Sequence, residues 1–502
     1  MSENLYNILR YRFPKNRGAK FIETPNDRSI MYDDVDRLTA IFAAAMLNLG
    51  IDRGHRLLVS IDKSPEAILI YLAALRLEAI FVPLNPTYTD REFKYFLENS
   101  TPTVVILRNK KDKAKIAAAK QMGAKVATIN TSNEGSFIDL ANVCKPFNLI
   151  NATKKTQPAA ILYTSGTTGK PKGVVLTHGN LSSNGKTLHH VWGFQPGDVL
   201  LHALPVFHVH GLFVAIHCAM LNASKIIYLE KFDIDLVIDQ LQRATVMMGV
   251  PTFYTRLLKH PSLDASLCKN MRLFISGSAA LLPQTWIDFK AKTKHEIIER
   301  YGMSEAGMIT SNPLNGERLP GTVGFTLPDI EVRVTSEDGT KLSSGKIGVL
   351  EVKGPNVFSG YWRRPELTAT EFRSDGFFIS GDMATVSASG RIKIVGRNRD
   401  LIISGGLNVY PNEIEDSLNI LPGIIESAVI GVIHPDLGES VVACIVTEAS
   451  FKCDENEIID ALKNQLASYK VPRRIIRLES LPKNIMGKIQ KNMLRQRYSV
   501  LP

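Results

Sequence analysis

The chain has 502 residues, 44% hydrophobic and 22% charged, a composition that excludes disordered and fibrous classes and points to a globular protein. That length exceeds what one apolar core serves, so two to four domains are expected. The net charge of +11 comes from scattered lysines, which argues against a nucleic-acid groove and leaves only mild attraction for polyanionic cofactors.

The first ten residues lack the apolar core of a signal peptide. From 29 to 100 helices alternate with short apolar runs: a helix over 32–47, a strand over 56–61, then a helix with Ser64 as N-cap and Pro65 in its first turn. The apolar run 67–85 is broken by Arg76 and Glu78 and stopped by Pro83, so no membrane span is expected. Strands follow at 104–107 and 126–129, and the alternation predicts a parallel α/β layer. A buried strand at 159–163 leads into a loop bearing Thr164, Ser165, Gly166, Thr167, Thr168, Gly169, Lys170 and Lys172. Glycines let successive N–H groups converge, while hydroxyls and lysines add donors and charge, so the loop is expected to cradle phosphate. It is not a Walker loop, because proline follows Lys170.

A second α/β segment places strands near 199–201, 226–228, 246–248 and 273–275. After about Gly324 short runs at 331–334, 348–352 and 391–395 predict a small antiparallel sheet or barrel. The polar stretch 396–400 reads as a hinge before a small α+β unit, in which Asp454 and Glu457 form a capping box for a helix carrying Ile458, Leu462 and Leu466. The fold class is therefore α/β: a large N-terminal domain, 1–398, with a β-barrel-like subdomain, and a mobile C-terminal domain, 399–502. Five widely spaced cysteines (Cys144, Cys218, Cys268, Cys444, Cys453) follow no metal or disulfide pattern and imply a reducing compartment, the cytoplasm.

Several clusters carry chemistry. His208 and His210 are weak evidence for a metal; a substrate-pocket or packing role reads better. Ser276, Gly277, Ser278, Ala279 and Ala280 follow a strand end and fit either a seat for a flat ring or a tight turn. Tyr301 is suited to stacking on a base, Ser304 to reaching phosphate and Glu305 to holding Mg²⁺. Asp382 suits a ribose diol or a plain turn, Arg397 a nucleotide or open solvent. Lys488 follows a glycine in a loop and by itself reads as a solvated lysine.

The ordered set 163–173, 301–305, 380–382, 396–400 and 482–488 resembles the acyl-adenylate-forming superfamily nearly end to end. Within it, 202–213, 248–256, 352–358 and 406–411 resemble the malonyl-CoA synthetases. The chain departs from their pattern at Ala280, where proline is expected, at Ala306 and Gly307, where larger polar residues are expected, and at Arg399, where lysine or aspartate is commoner.

The resemblance implies an enzyme that joins a small carboxylic acid, malonate first, to coenzyme A through an acyl-AMP, using ATP and Mg²⁺. It implies catalytic roles for Lys488, Thr164 and Glu305, with Thr164 and Glu305 at the metal. Nucleotide and coenzyme contacts would come from the 164–172 loop, Ser278, Ala279, Ala280, Glu299, Arg300, Tyr301, Gly302, Ser304, Asp382, Arg397, Gly405 and Gly406. The acid would meet His208, Val209, Arg256, Ser276, Arg300 and Met308, and Arg399 would be the hinge. Another short- or medium-chain acid, a carrier-protein-loading enzyme and a non-catalytic nucleotide-binding regulator remain as alternatives. The oligomeric state stays open.

Overall fold

Buried strands and amphipathic helices build two large sheets in the computed structural model, whose described residues are 3–108, 111–164, 171–449, 451 and 454–498. In one sheet Ile298–Met303, Leu273–Ser276, Val246–Gly249, Val199–His202, Lys225–Tyr228 and Lys20–Glu23 run parallel. Antiparallel strands Gly307–Ser311 and Ser29–Met31 flank them. The other sheet orders Pro158–Thr164, Ile80–Pro83, Arg56–Ser60, Val104–Arg108 and Lys125–Ile129 in parallel, and Lys172–Thr177 pairs antiparallel with Pro158–Thr164.

The apolar run beginning at Ala67 is the helix Pro65–Leu77, and every residue of it is buried. Ser64 caps it by accepting the Ala67 N–H at 3.4 Å. Arg76 survives there because Asp36 lies 3.1 Å away and the carbonyls of Phe147 and Leu149 take its Nε–H. No described helix is long and apolar enough to cross a membrane.

The predicted antiparallel segment is a four-stranded sheet of Glu331–Thr335, Gly348–Lys353, Phe378–Val386 and Ile392–Arg397. In the small C-terminal domain the capping box at Asp454 and Glu457 is present, but its helix ends at Lys463. Leu466 therefore lies beyond the helix, still packed against the domain core.

The four-stranded sheet is pinned by fully buried Glu351, which accepts from Arg333 Nε and Arg373 Nε, both at 2.7 Å, and from the Thr335 hydroxyl at 3.0 Å. Glu351→Ala strands these donors and is expected to destabilise the protein by about 3 kcal/mol, read as a lowered unfolding midpoint. Glu351→Gln, which keeps the acceptor, should cost less.

Candidate active site

Three neighbouring parallel strands, Val246–Gly249, Leu273–Ser276 and Ile298–Met303, finish side by side. The carboxyl ends of such strands are where an α/β sheet opens to ligands. Alternation along Ile298–Met303 sends Glu299 and Arg300 to opposite faces. Glu299 turns to Gly321, whose N–H it accepts at 3.1 Å, and burial pushes its carboxyl up to about 8. Arg300 turns to Gly277, where a Cβ would stand 2.3 Å from its Cζ. Only glycine lets the guanidinium lie there. Arg300 is 4% exposed, and its Nε and Nη2 have no partner among the described residues. Burial pulls it down to about 9, with Tyr254 opposing. A desolvated cation without a counter-charge is costly, and an anion would complete the arrangement.

Two imidazoles share this corner. Half-buried His208 is held down to about 4 by burial, then by the Arg300 and Lys488 charges. His210 is fully buried, and burial, Arg300 and His208 push it well below the ordinary histidine range. Its Nδ1 lies 3.2 Å from the Ser278 hydroxyl, on a residue at φ +73°, while its Nε2 has no partner. The Ser276 hydroxyl is likewise buried and unpartnered. His210 opens a π-helix, His210–Ile216, a wide turn that local sequence patterns do not signal.

Met308 and Val209 close the far side. Asn184 bonds Met308 through both backbone groups, at 3.0 and 2.9 Å. Its amide fills the space beside Gly307, where a larger polar residue was expected: a Cβ there would meet Asn184 Oδ1 at 2.6 Å. Val209 borders a cavity of about 10 Å³ together with Phe213, Gly307 and Asn356.

The third side carries a second charge cluster. Tyr301 donates its hydroxyl to Asp382 at 2.5 Å, and Arg397 Nε lies 3.1 Å from the other carboxylate oxygen. Cross-strand pairing sets Asp382 opposite Arg397. Lys488 arrives from the small domain; burial and then the Arg397 charge bring it down to about 8, with Asp382 opposing. Buried Glu305 accepts from the Tyr361 hydroxyl at 3.3 Å. Tyr361 also lies 2.7 Å from Glu371, which holds Lys172 at 2.7 Å. Burial, then Glu371, raises the Glu305 carboxyl.

Several expectations need correction. Lys172, expected to add charge to the 164–172 loop, is buried against Glu371 and the Tyr361 ring, so its charge is already paired. Arg256 does not join Arg300. Tyr254 faces the sheet and donates to the Ile275 carbonyl at 2.7 Å; two residues on, the helix Pro251–Lys259 has turned away, leaving Arg256 exposed over Phe232. Glu299, expected among the nucleotide contacts, accepts from the Gly321 N–H on the face away from Arg300.

Other residues fall at the margins. Ala280 is exposed after the half-buried Ala279. Gly302 has no room for a Cβ, which would stand 2.1 Å from the Gly307 carbonyl; Ser304 is half-buried beside it. Gly405 and Gly406 form an exposed left-handed turn, and Arg399 sits exposed in the 3₁₀ turn Asn398–Asp400. Thr164 ends its strand opposite Lys172. Ser165, Gly166, Thr167, Thr168, Gly169 and Lys170 lie outside the described residues, as does Cys453. Tyr361 and Glu371 were not anticipated, and no motif marks them; His210 takes the pocket position expected of it.

The AMP-binding enzyme model matches residues 11–362, and the AMP-binding enzyme C-terminal domain model matches 413–488. A malonate–CoA ligase of Arabidopsis thaliana is 33% identical over 479 residues, 88% of this chain and 78% of that protein. ATP-bound MatB from Rhodopseudomonas palustris superposes with a TM-score of 0.97 at 45% identity, covering 99% of both chains. The apo crystal structure of the same MatB superposes at 0.86.

The histidine corner generates a direct test. The His208 ring is expected to stay neutral from pH 8 down to 5, with its midpoint near 4. Arg300→Met removes a nearby positive charge and should move that midpoint upward, read by imidazole NMR.

Proposed function

The chain belongs to the AMP-binding enzyme family, as an AMP-forming acid–CoA ligase, and from that premise we propose that its acid is malonate. The observation that carries this reading is the buried, unpaired Arg300 guanidinium. Malonate has a second carboxylate, and burying it without a cation costs several kcal/mol. Arginine suits the task because its planar fork takes both oxygens and stays charged. The small volume of the cavity beside Val209, about 10 Å³, supports a short acid over a long acyl chain.

In this reading the reacting carboxylate attacks the α-phosphorus of ATP and pyrophosphate leaves. His208, being neutral, adds no competing charge beside Arg300 and offers a hydrogen bond to the acid. Ser276 and His210 bring unmet polar atoms to the same wall. Tyr301 supplies the face for adenine, Asp382 the acceptor for the ribose diol, and the 164–170 segment the phosphate donors. Lys488 bridges the reacting carboxylate and the α-phosphate, where negative charge gathers.

Glu305 fits a divalent cation, since it is buried and, among the described residues, its carboxylate is bonded only by the Tyr361 hydroxyl. With Thr164 it would hold Mg²⁺, which neutralises phosphate charge. We place the domain boundary at 398/399 and the pivot at Arg399, so that rotation withdraws Lys488 and brings Gly405 and Gly406 to the thiol path.

With Mg²⁺-ATP, acid and coenzyme A, the purified protein should release AMP and pyrophosphate and prefer malonate to butyrate and octanoate. Arg300→Met should lower kcat/KM for malonate by roughly 2–5 kcal/mol while butyrate activity holds. A preference for octanoate would discard malonate and leave the ligase assignment standing. Separately, Lys488→Ala should slow acyl-AMP formation by roughly 10²- to 10³-fold, yet spare thioester formation from preformed acyl-AMP. Equal loss in both steps would contradict a lysine that leaves the site between them.

A further inference from the structure

Lys488 is carried by a turn of the small domain that holds its own shape. Asn484 Oδ1 accepts the N–H groups of Met486 and Lys488, both at 3.0 Å. The Asn484 N–H donates to the Lys488 carbonyl at 2.9 Å, and Gly487 sits at φ +75°. A bridge between Lys483 and Ile489 closes the base. Such a turn moves as a unit.

At the tip of this turn stands Met486, 4% exposed, next to Ile485 at 58%. Met486 packs into the apolar core of the large domain. Among the described residues it is the one side chain beyond Ile402 that joins any of that domain's apolar clusters. The small domain's own two clusters do not include it. Beside it, a Cβ on Gly487 would lie 3.1 Å from Thr252 Cγ2, so the backbone of the turn rests on the start of the helix Pro251–Lys259. The polar link between the domains is weaker: Lys393 and Asp416 are 3.5 Å apart and both about half exposed, a geometry that contributes little.

We propose that Met486 is a positioning residue, an apolar latch that holds the Lys488 turn against the large domain during acyl-AMP formation. The inference rests on the two-step reading above. Withdrawing Lys488 for the thioester step draws Met486 out of the large-domain core, so its burial sets the balance between the docked and withdrawn arrangements. One buried methionine shifts such a balance roughly 10- to 100-fold. The assignment concerns placement alone; the sulfur takes no part in the chemistry.

The test uses full-length protein with Met486→Ala and Met486→Leu. Three quantities are read: pyrophosphate release without coenzyme A, thioester formation from synthetic malonyl-AMP, and energy transfer between fluorophores at the exposed positions 11 and 420. Met486→Ala should slow pyrophosphate release roughly 10- to 100-fold, leave the thioester step equal or faster, and lower the docked population. Met486→Leu, of similar volume, should restore all three. An alanine variant with an unchanged docked population overturns the latch, as does an equal loss in both half-reactions. The fluorescence readout needs no acid substrate, so a failed malonate assignment leaves this test intact.

Discussion

The site is organised by a charge that no described residue balances. Arg300 is buried, flat on Gly277, with two of its nitrogens unmet. Its surroundings follow from that. Position 277 admits no side chain, Glu299 faces away, and His208 and His210 are held neutral partly by the guanidinium. A carboxylate placed beside Arg300 would satisfy it permanently and leave nothing for a ligand. The fold therefore carries a desolvation cost that an incoming anion removes. Under the malonate proposal selectivity would arise in the same stroke, since an acid lacking a distal charge would leave the cost in place.

A second constraint joins the start of the strand Lys172–Thr177 to buried Glu305. Lys172 is tied through Glu371 and the Tyr361 hydroxyl to Glu305. Glu371 lies 199 residues from Lys172 in the chain. The strand start and Glu305 thus share one frame, contributed by the short strand Gly360–Tyr361 and the segment following it. Disturbing Tyr361 would disturb both ends together.

Most strands and both cited helix caps could be read from residues, because apolar runs, Ser64 and the Asp454–Glu457 box act locally. Arg256 and Arg300 could not be ranked that way. Each follows apolar sequence and each carries the same group; only helix phase and a glycine on the neighbouring strand separate an exposed arginine from a buried one. Lys172 misled for a related reason, since its partner is distant in sequence and marked by no motif. Gly307 departed from expectation because Asn184, on another helix, already fills its space.

The burial of Met486 also gives the docked arrangement a thermal character. Apolar association near room temperature is driven by entropy and carries a heat-capacity change, so it weakens on cooling. The contact that keeps the lysine turn seated is of this kind, while Lys393 and Asp416 offer only a screened pair in its place. Cold therefore acts twice on acyl-AMP formation, slowing the bond-making step and thinning the population poised to perform it. The withdrawn arrangement gains what the docked one loses, and the two half-reactions drift apart as temperature falls.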